Sequence, residues 1–259
     1  MFERVRVIAL NTFREAVRDR VLYNLILFAF LLLSTAILFG QISVGVQKLI
    51  VINLGLAAIT FFGLAIAIFI GVGLVYKEID RRTLYTLLSK PVSRAEFILG
   101  KFFGLGLTLW VNTALMTMGF FVALYYVKRT PETGDSYLLV AIYFIFLQLV
   151  LATAWALFFS CFSSPILAAV FTAGLFLAGS FSADLREWAE WVEVSWLRLL
   201  LVGVYYILPN FRNFNVTTVV AHGQAIPVEV IVYNTGYGLL YAGLVVAASV
   251  LIFRNRNLK

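Results

Sequence analysis

The candidates for acid–base or metal chemistry are five: Asp184, Glu187, Glu190, Glu193 and a lone His222. A hydrolase or metal site would need them to converge on one point. Their setting argues for something plainer. The carboxylates recur among Trp188, Trp191 and Trp196, and tryptophan beside charge favours a membrane–water interface. They read as the wet face of an anchored helix. Gly100-Lys101 resembles the end of a phosphate-binding loop, but that loop needs an earlier glycine and a Ser/Thr after the lysine. Ala95 and Phe102 stand there instead. No catalytic, cofactor-binding or metal-ligating residue is therefore assigned, and the chain is expected not to be an enzyme. Cys161 is the single cysteine, which excludes an intrachain disulfide and a cysteine-based metal cluster.

The remaining charged cluster is residues 78–94, a helix-forming segment between two long apolar runs. A simple reversal needs only a few residues. Here Asp80 is placed to cap a short helix whose Leu84, Leu87 and Leu88 share one face. Pro91 ends it. Ser93-Arg94-Ala95-Glu96 then forms a capping-box pattern that opens a new helix, and Gly100 and Gly104 let its start pack tightly. Such chemistry is contact chemistry: an apolar face on a charged loop needs a soluble partner.

The elements that position this loop are membrane helices. The chain has 259 residues, 62% hydrophobic and 13% charged, with a mean hydropathy of +0.96. Soluble domains carry about a quarter charged residues. Runs such as 25–33 and 64–70 do not alternate, so a β-barrel is excluded in favour of helices. The expected fold is an all-α integral membrane protein, one permease-like domain over residues 1–259. Six spans are expected near 21–40, 49–75, 102–127, 137–161, 166–181 and 230–253, at about 20 residues each. Residues 1–20 read as an interfacial elbow helix, with Val5, Ile8, Ala9, Thr12, Phe13 and Ala16 on one face. Ser164-Pro165 reads as a cap and first helical residue. Residues 183–229 read as an external segment: a re-entrant or interfacial helix ended by Pro209, then a polar connection with a turn at Gly223. Gly55, Gly63, Ala67 and Gly71 line a small-residue groove, read first as ordinary bundle packing.

The net charge is +7, yet no basic run interleaved with aromatics points to nucleic acid. Residues 1–20, 76–101 and 254–259 hold 14 of the 20 Lys and Arg. The positive-inside rule puts both termini and the charged loop in the cytoplasm.

The loop resembles that of the membrane subunits of type-2 ABC exporters, and is similar to the permease of nitrous oxide reductase maturation. The resemblance is carried by residues 14–20, by Glu78, Thr83-Leu84 and Leu87-Leu88-Ser89, by Pro91-Val92-Ser93-Arg94 with Gly100-Lys101, by Pro209-Asn210 and by the basic tail. Arg82 stands where the family usually has glycine. The resemblance implies that Glu78, Arg82, Thr83, Leu84, Leu87, Leu88, Pro91, Val92, Ser93 and Arg94 form a coupling helix and its flanks, seated on an ATPase. It implies two ATPase subunits holding ATP and Mg, a paired permease, and a bacterial or archaeal cytoplasmic (inner) membrane, with room for a periplasmic accessory protein. Two alternatives stand beside it. One is a scaffold that transmits force without moving a substrate. The other is a secondary transporter, which normally needs intramembrane ionisable groups. Here the main strong polar groups of the spans are Asn53, Asn112 and Gln148.

Overall fold

A computed structural model of the chain describes residues 2–42, 46–80, 93–129, 133–192 and 194–255. These residues are mostly helical, with no strand among them. The helices are α1 (Phe2–Val17), α2 (Arg20–Ile42), α3 (Gln47–Asp80), α4 (Arg94–Lys128), α5 (Tyr137–Ser160), α6 (Pro165–Ser180), α7 (Ser182–Trp191), α8 (Ser195–Ile207), α9 (Thr217–Ala221) and α10 (Val228–Asn255). Among the described residues four stretches are long and apolar enough to cross a membrane: Gln47–Gly73, Arg94–Lys128, Gly134–Ser160 and Val228–Arg254. The other two expected spans fall on α2 and α6. The apolar stretch of α2 is described over Arg20–Thr35, and α6 is a shorter apolar helix of 16 residues.

α3 and α5 are the most enclosed of these helices. α2 and α4 flank α3, while α10 lies against α5. The small residues of α3 serve this packing: Gly55 faces Phe120 of α4, Gly63 faces Leu149 of α5, and Gly71 lies against Ala156 and Leu105. The bundle itself fills the groove read from the sequence.

α3 has 34 residues and α4 has 35. At 1.5 Å per residue each is roughly 50 Å long, well beyond a hydrocarbon core of about 30 Å. Their junction is therefore shorter than the sequence reading had it. Residues 76–80 are helical and continue α3, so Glu78 and Asp80 lie on that helix rather than in a loop. Apolar residues run without a breaker from 49 to 75, and nothing in Lys77-Glu78-Ile79-Asp80 stops the helix.

α1 was expected to rest its apolar face on the membrane interface. That face covers the first turns of α4. Thr12 and Ala16 are buried. Gly100 sits under Ile8 and Val5, and Gly104 under Ala9 and Thr12. Val7, Leu10 and Phe2 remain exposed on the outside. Asp19 accepts a hydrogen bond from the Val21 amide (3.0 Å) and so caps α2 one turn after α1 ends.

Pro165 does open α6, and Ser164 precedes it in extended conformation, but the serine side chain makes no capping bond. Proline at the first position already removes one orphan donor. Gly223 takes a positive φ of 72° at the expected turn.

The polar connection near 210–229 is the largest departure. Phe211 and Phe214 form a 3-10 turn and are each 1% exposed. Phe211 packs on Phe176 of α6 at 4.9 Å between ring centroids, and Phe214 on Phe144 of α5 at 6.3 Å. The Pro209 carbonyl rests on Gly179 of α6, a position where any side chain would collide. Asn234 of α10 donates to the Asn213 carbonyl at 2.7 Å, and Tyr237 accepts from the Asn210 amide at 2.8 Å. This segment is a plug wedged into one end of the bundle. The i, i+3 pair of phenylalanines was its only sequence signal. The short apolar helix ended by Pro209 is α8, none of whose residues is buried.

The crossing of α1 on α4 generates a prediction. A Cβ at Gly104 would lie 2.6 Å from the Ala9 carbonyl, which cannot yield as a side chain tip does. Gly104→Leu should destabilise the protein by about 1–3 kcal/mol, read as a lower thermal midpoint in detergent. Gly106→Leu, whose Cβ would meet nothing within 4 Å, should leave the midpoint unchanged.

Candidate functional site

Of the residues expected to form the coupling segment, Arg82, Thr83, Leu84, Leu87, Leu88, Pro91 and Val92 lie outside the described residues, as does the side chain of Glu78. Ser93 and Arg94 are described, and they show how the segment joins the bundle. Ser93 is extended (φ −76°, ψ 152°) and is the N-cap of α4. Its Oγ accepts from the Glu96 amide at 3.2 Å, and Glu96 Oε2 accepts from the Ser93 amide at 2.8 Å. The capping box expected from the sequence is complete. Arg4 of α1 stands 3.9 Å from the same carboxylate.

Arg94 reaches the far end of the chain. Its guanidinium donates to the carbonyls of Phe253 (3.0 Å) and Arg254 (2.6 Å) in the last turn of α10. Carbonyls at a helix C-terminus, together with the negative end of the helix dipole, favour a cation there. Beside this contact, Phe253 stacks on Phe97 at 5.7 Å.

One turn further along α4 lies Lys101, only 2% exposed. Its ammonium is 3.6 Å from Glu15 of α1 and 5.8 Å from the Phe97 ring centroid. Thus Arg14-Glu15 and Gly100-Lys101, two of the stretches that carry the resemblance, touch each other. A sequence gives each stretch but not their meeting. A crevice of about 330 Å³ runs along this crossing, between Leu10, Asn11 and Arg14 of α1 and Phe97 of α4. The start of α4 is thereby tied to α1 and to α10 at once.

Of the acid–base candidates, Glu193 and the side chain of Glu190 lie outside the described residues, and the others do not converge. Arg212 forms an ion pair with Asp184. The ring Nδ1 of His222 lies 2.7 Å from the Thr218 carbonyl, within its own helical turn. Among the described residues no three of His, Cys, Asp and Glu come together. Trp188, Trp191 and Trp196 are all exposed.

The three polar residues of the spans part company. Asn112 is buried, and its amide donates to the Thr108 carbonyl of its own helix at 2.7 Å. Asn53 and Gln148 instead line one cavity of about 630 Å³, walled by α3, α5, α6 and the plug. Gln148 is 7% exposed, and no described residue hydrogen-bonds its side chain.

These features define the class: a multi-pass helical membrane protein whose charged segment is fixed to the bundle at one end. Residues 6–185 match the ABC-2 family transporter proteins. The match covers more than half of the chain, and the chain belongs to that family, which supplies the permease components of ABC transporters. No curated protein matches it.

The cap makes a further prediction. Ser93→Ala should cost about 1 kcal/mol of local helix stability. Hydrogen exchange of the first-turn amides near Glu96 should accelerate, while amides around Leu109 hold their protection.

Proposed function

We propose that the chain is the permease of an ATP-driven exporter and couples hydrolysis in a separate ATPase subunit to substrate movement. The reading rests on family membership and on one structural observation. The segment between α3 and α4 continues into a helix start that is capped by Ser93, bound to α10 through Arg94 and braced on α1 through Lys101. A push delivered at that segment meets three helices of the bundle rather than a slack loop.

In this reading α2, α3, α4, α5, α6 and α10 are six spans. Both termini and residues 78–94 lie in the cytoplasm of a bacterial or archaeal cell, and α7, α8 and the plug lie outside. Glu78, Arg82, Thr83, Leu84, Leu87, Leu88, Pro91, Val92, Ser93 and Arg94 form the contact with the ATPase and its attachment to α4. Two permeases pair with two ATPases, and ATP and Mg bind in those partners. The similarity to the nitrous oxide reductase maturation permease belongs to this proposal. The basic asymmetry, 14 of 20 Lys and Arg on the cytoplasmic segments, supports the orientation.

Two measurements test it. In a Cys161→Ser background, cysteines placed at Lys90 and at His222 should label from opposite sides of the membrane, Lys90 from the cytoplasm. Labelling of both from one side refutes the topology. Separately, the double change Leu84→Asp and Leu87→Asp should abolish co-purification of the ATPase while permease abundance in the membrane stays normal. Two carboxylates forced into an apolar groove cost several kcal/mol. Normal ATPase binding and activity in the double variant would show that the contact lies elsewhere.

A further inference from the structure

Gln148 sits on the inner wall of the cavity between α3, α5, α6 and the plug. Several other buried polar side chains of the bundle satisfy themselves locally. Thr108, Thr153, Thr172 and Ser249 donate to carbonyls of their own helices, as Asn112 does. The Gln148 amide does not, although it is 7% exposed. Its amide atoms are accessible from the cavity, so they are free to hydrogen-bond with what enters it.

The remaining lining says what that something is. Asn53 adds a second amide. The Thr60 and Ser180 hydroxyls donate to Leu56 and Phe176 of their own helices (2.9 and 2.8 Å), which leaves oxygen lone pairs to offer a visitor. No Asp, Glu, Lys, Arg or His is among the described lining residues. An ionic group would therefore lose its hydration with no countercharge. The rest of the wall is apolar. Phe61 and Leu177, at 65% and 58% exposure, stand at its open side. In a membrane that side is reached from the lipid. The volume, about 630 Å³, lies in the range of small-molecule sites.

We propose that this cavity is the substrate site, and that it takes an uncharged amphiphile: a head bearing hydroxyl or amide groups, held by Gln148 and Asn53, and an alkyl chain leaving past Phe61 and Leu177. The proposal rests on the permease reading and narrows it to a substrate class.

The test uses the full chain, co-expressed with its ATPase and reconstituted in lipid nanodiscs. The probes are a photoreactive dodecyl glucoside and a photoreactive dodecyl sulfate of equal chain length. The glucoside should crosslink to cavity residues, with the modified peptides mapped by mass spectrometry. Its yield should fall about fivefold in Gln148→Leu, the effect of one lost hydrogen bond. Asn53→Leu should lower it as well. Asn53 is exposed, so this variant keeps the fold even if Gln148→Leu does not. The sulfate should label the cavity weakly in every form. Equal or stronger labelling by the sulfate would overturn the assignment, and so would glucoside labelling indifferent to both substitutions. A third contrary result is a spontaneous disulfide between copies carrying Asn53→Cys, with the glucoside excluded, which would make the cavity wall a dimer interface. ATPase co-purification is scored on the same samples. Loss of the partner thus marks failure of the permease reading, whereas an unlabelled cavity beside a bound ATPase marks failure of the substrate assignment alone.

Discussion

A lysine ammonium sealed between two helices is the constraint on which one end of this protein depends. Lys101 keeps 2% of its surface, so its charge must be met by Glu15 and by the face of Phe97. Burying a charge is tolerable only with such partners. Glu15 can reach it only if α1 lies directly on α4. That approach in turn needs Gly100 and Gly104 beneath Ile8, Ala9 and Thr12. With α1 fixed, Asp19 caps α2 at a set place. With the start of α4 fixed, Arg94 can close on the last carbonyls of α10. The first, middle and last parts of the chain are thus gathered at one end by a few polar contacts, each specific in geometry.

The opposite end is held by different means. There the aromatic rings of Phe211 and Phe214 fill the space between α5, α6 and α10. Backbone groups of the plug are met by Asn234 and Tyr237. Lys128 and Asp135 close the turn after α4 at 2.8 Å, where Arg129 takes the left-handed conformation that ends the helix. Charged contacts that join distant helices gather at the α1 end, and ring packing dominates at the plug. On the proposed reading the α1 end receives the soluble partner, which calls for positive charge and defined attachment points. An end that encloses a cavity needs dry, close packing.

Much of this was legible in the sequence because membrane helices announce themselves by length and apolarity. The four spans, the end of α4 at Lys128 and the start of α5 at Tyr137 follow from runs of apolar residues interrupted by charge. The capping box at Ser93 was readable because it is local: the Ser-x-x-Glu pattern spans four residues. What could not be read depends on distant partners. Lys101 beside Phe102 looks like one more basic residue near a membrane, and only its meeting with Glu15 makes it a buried structural charge. The plug was read as polar because Arg212, Asn213 and Asn215 outnumber the two phenylalanines in that stretch, yet those two rings decide its position. The extension of α3 to Asp80 was missed because charge was taken as a loop signal, although Lys, Glu and Asp are tolerated in a helix that has left the bilayer. Asn53 and Gln148 were each read as a routine interhelical bond. Their convergence is a property of the bundle and of neither helix alone.

The two regions of interest are joined by one element. α3 carries Asn53 and Thr60 on the cavity wall and ends at Asp80, where the proposed contact segment begins. Over that distance it lies against α4 at Gly55 and Gly71 and against α5 at Gly63 and Gly71. Close helix packing leaves little room for bending, since interiors are dense and resist local compression. On the proposed reading, a displacement applied through residues 78–94 would be taken up by α3 and α4 moving as rods against their neighbours, as in shear between packed helices. Such a motion changes the separation of α3 from α5 and α6, and those helices are the opposing walls of the cavity. The plug limits the motion on one side, because Phe211 is wedged against α6 and Phe214 against α5. A cavity bounded by one movable rod and one wedged end can change its volume without unfolding any helix, and this is the mechanical property that a permease driven from one side requires.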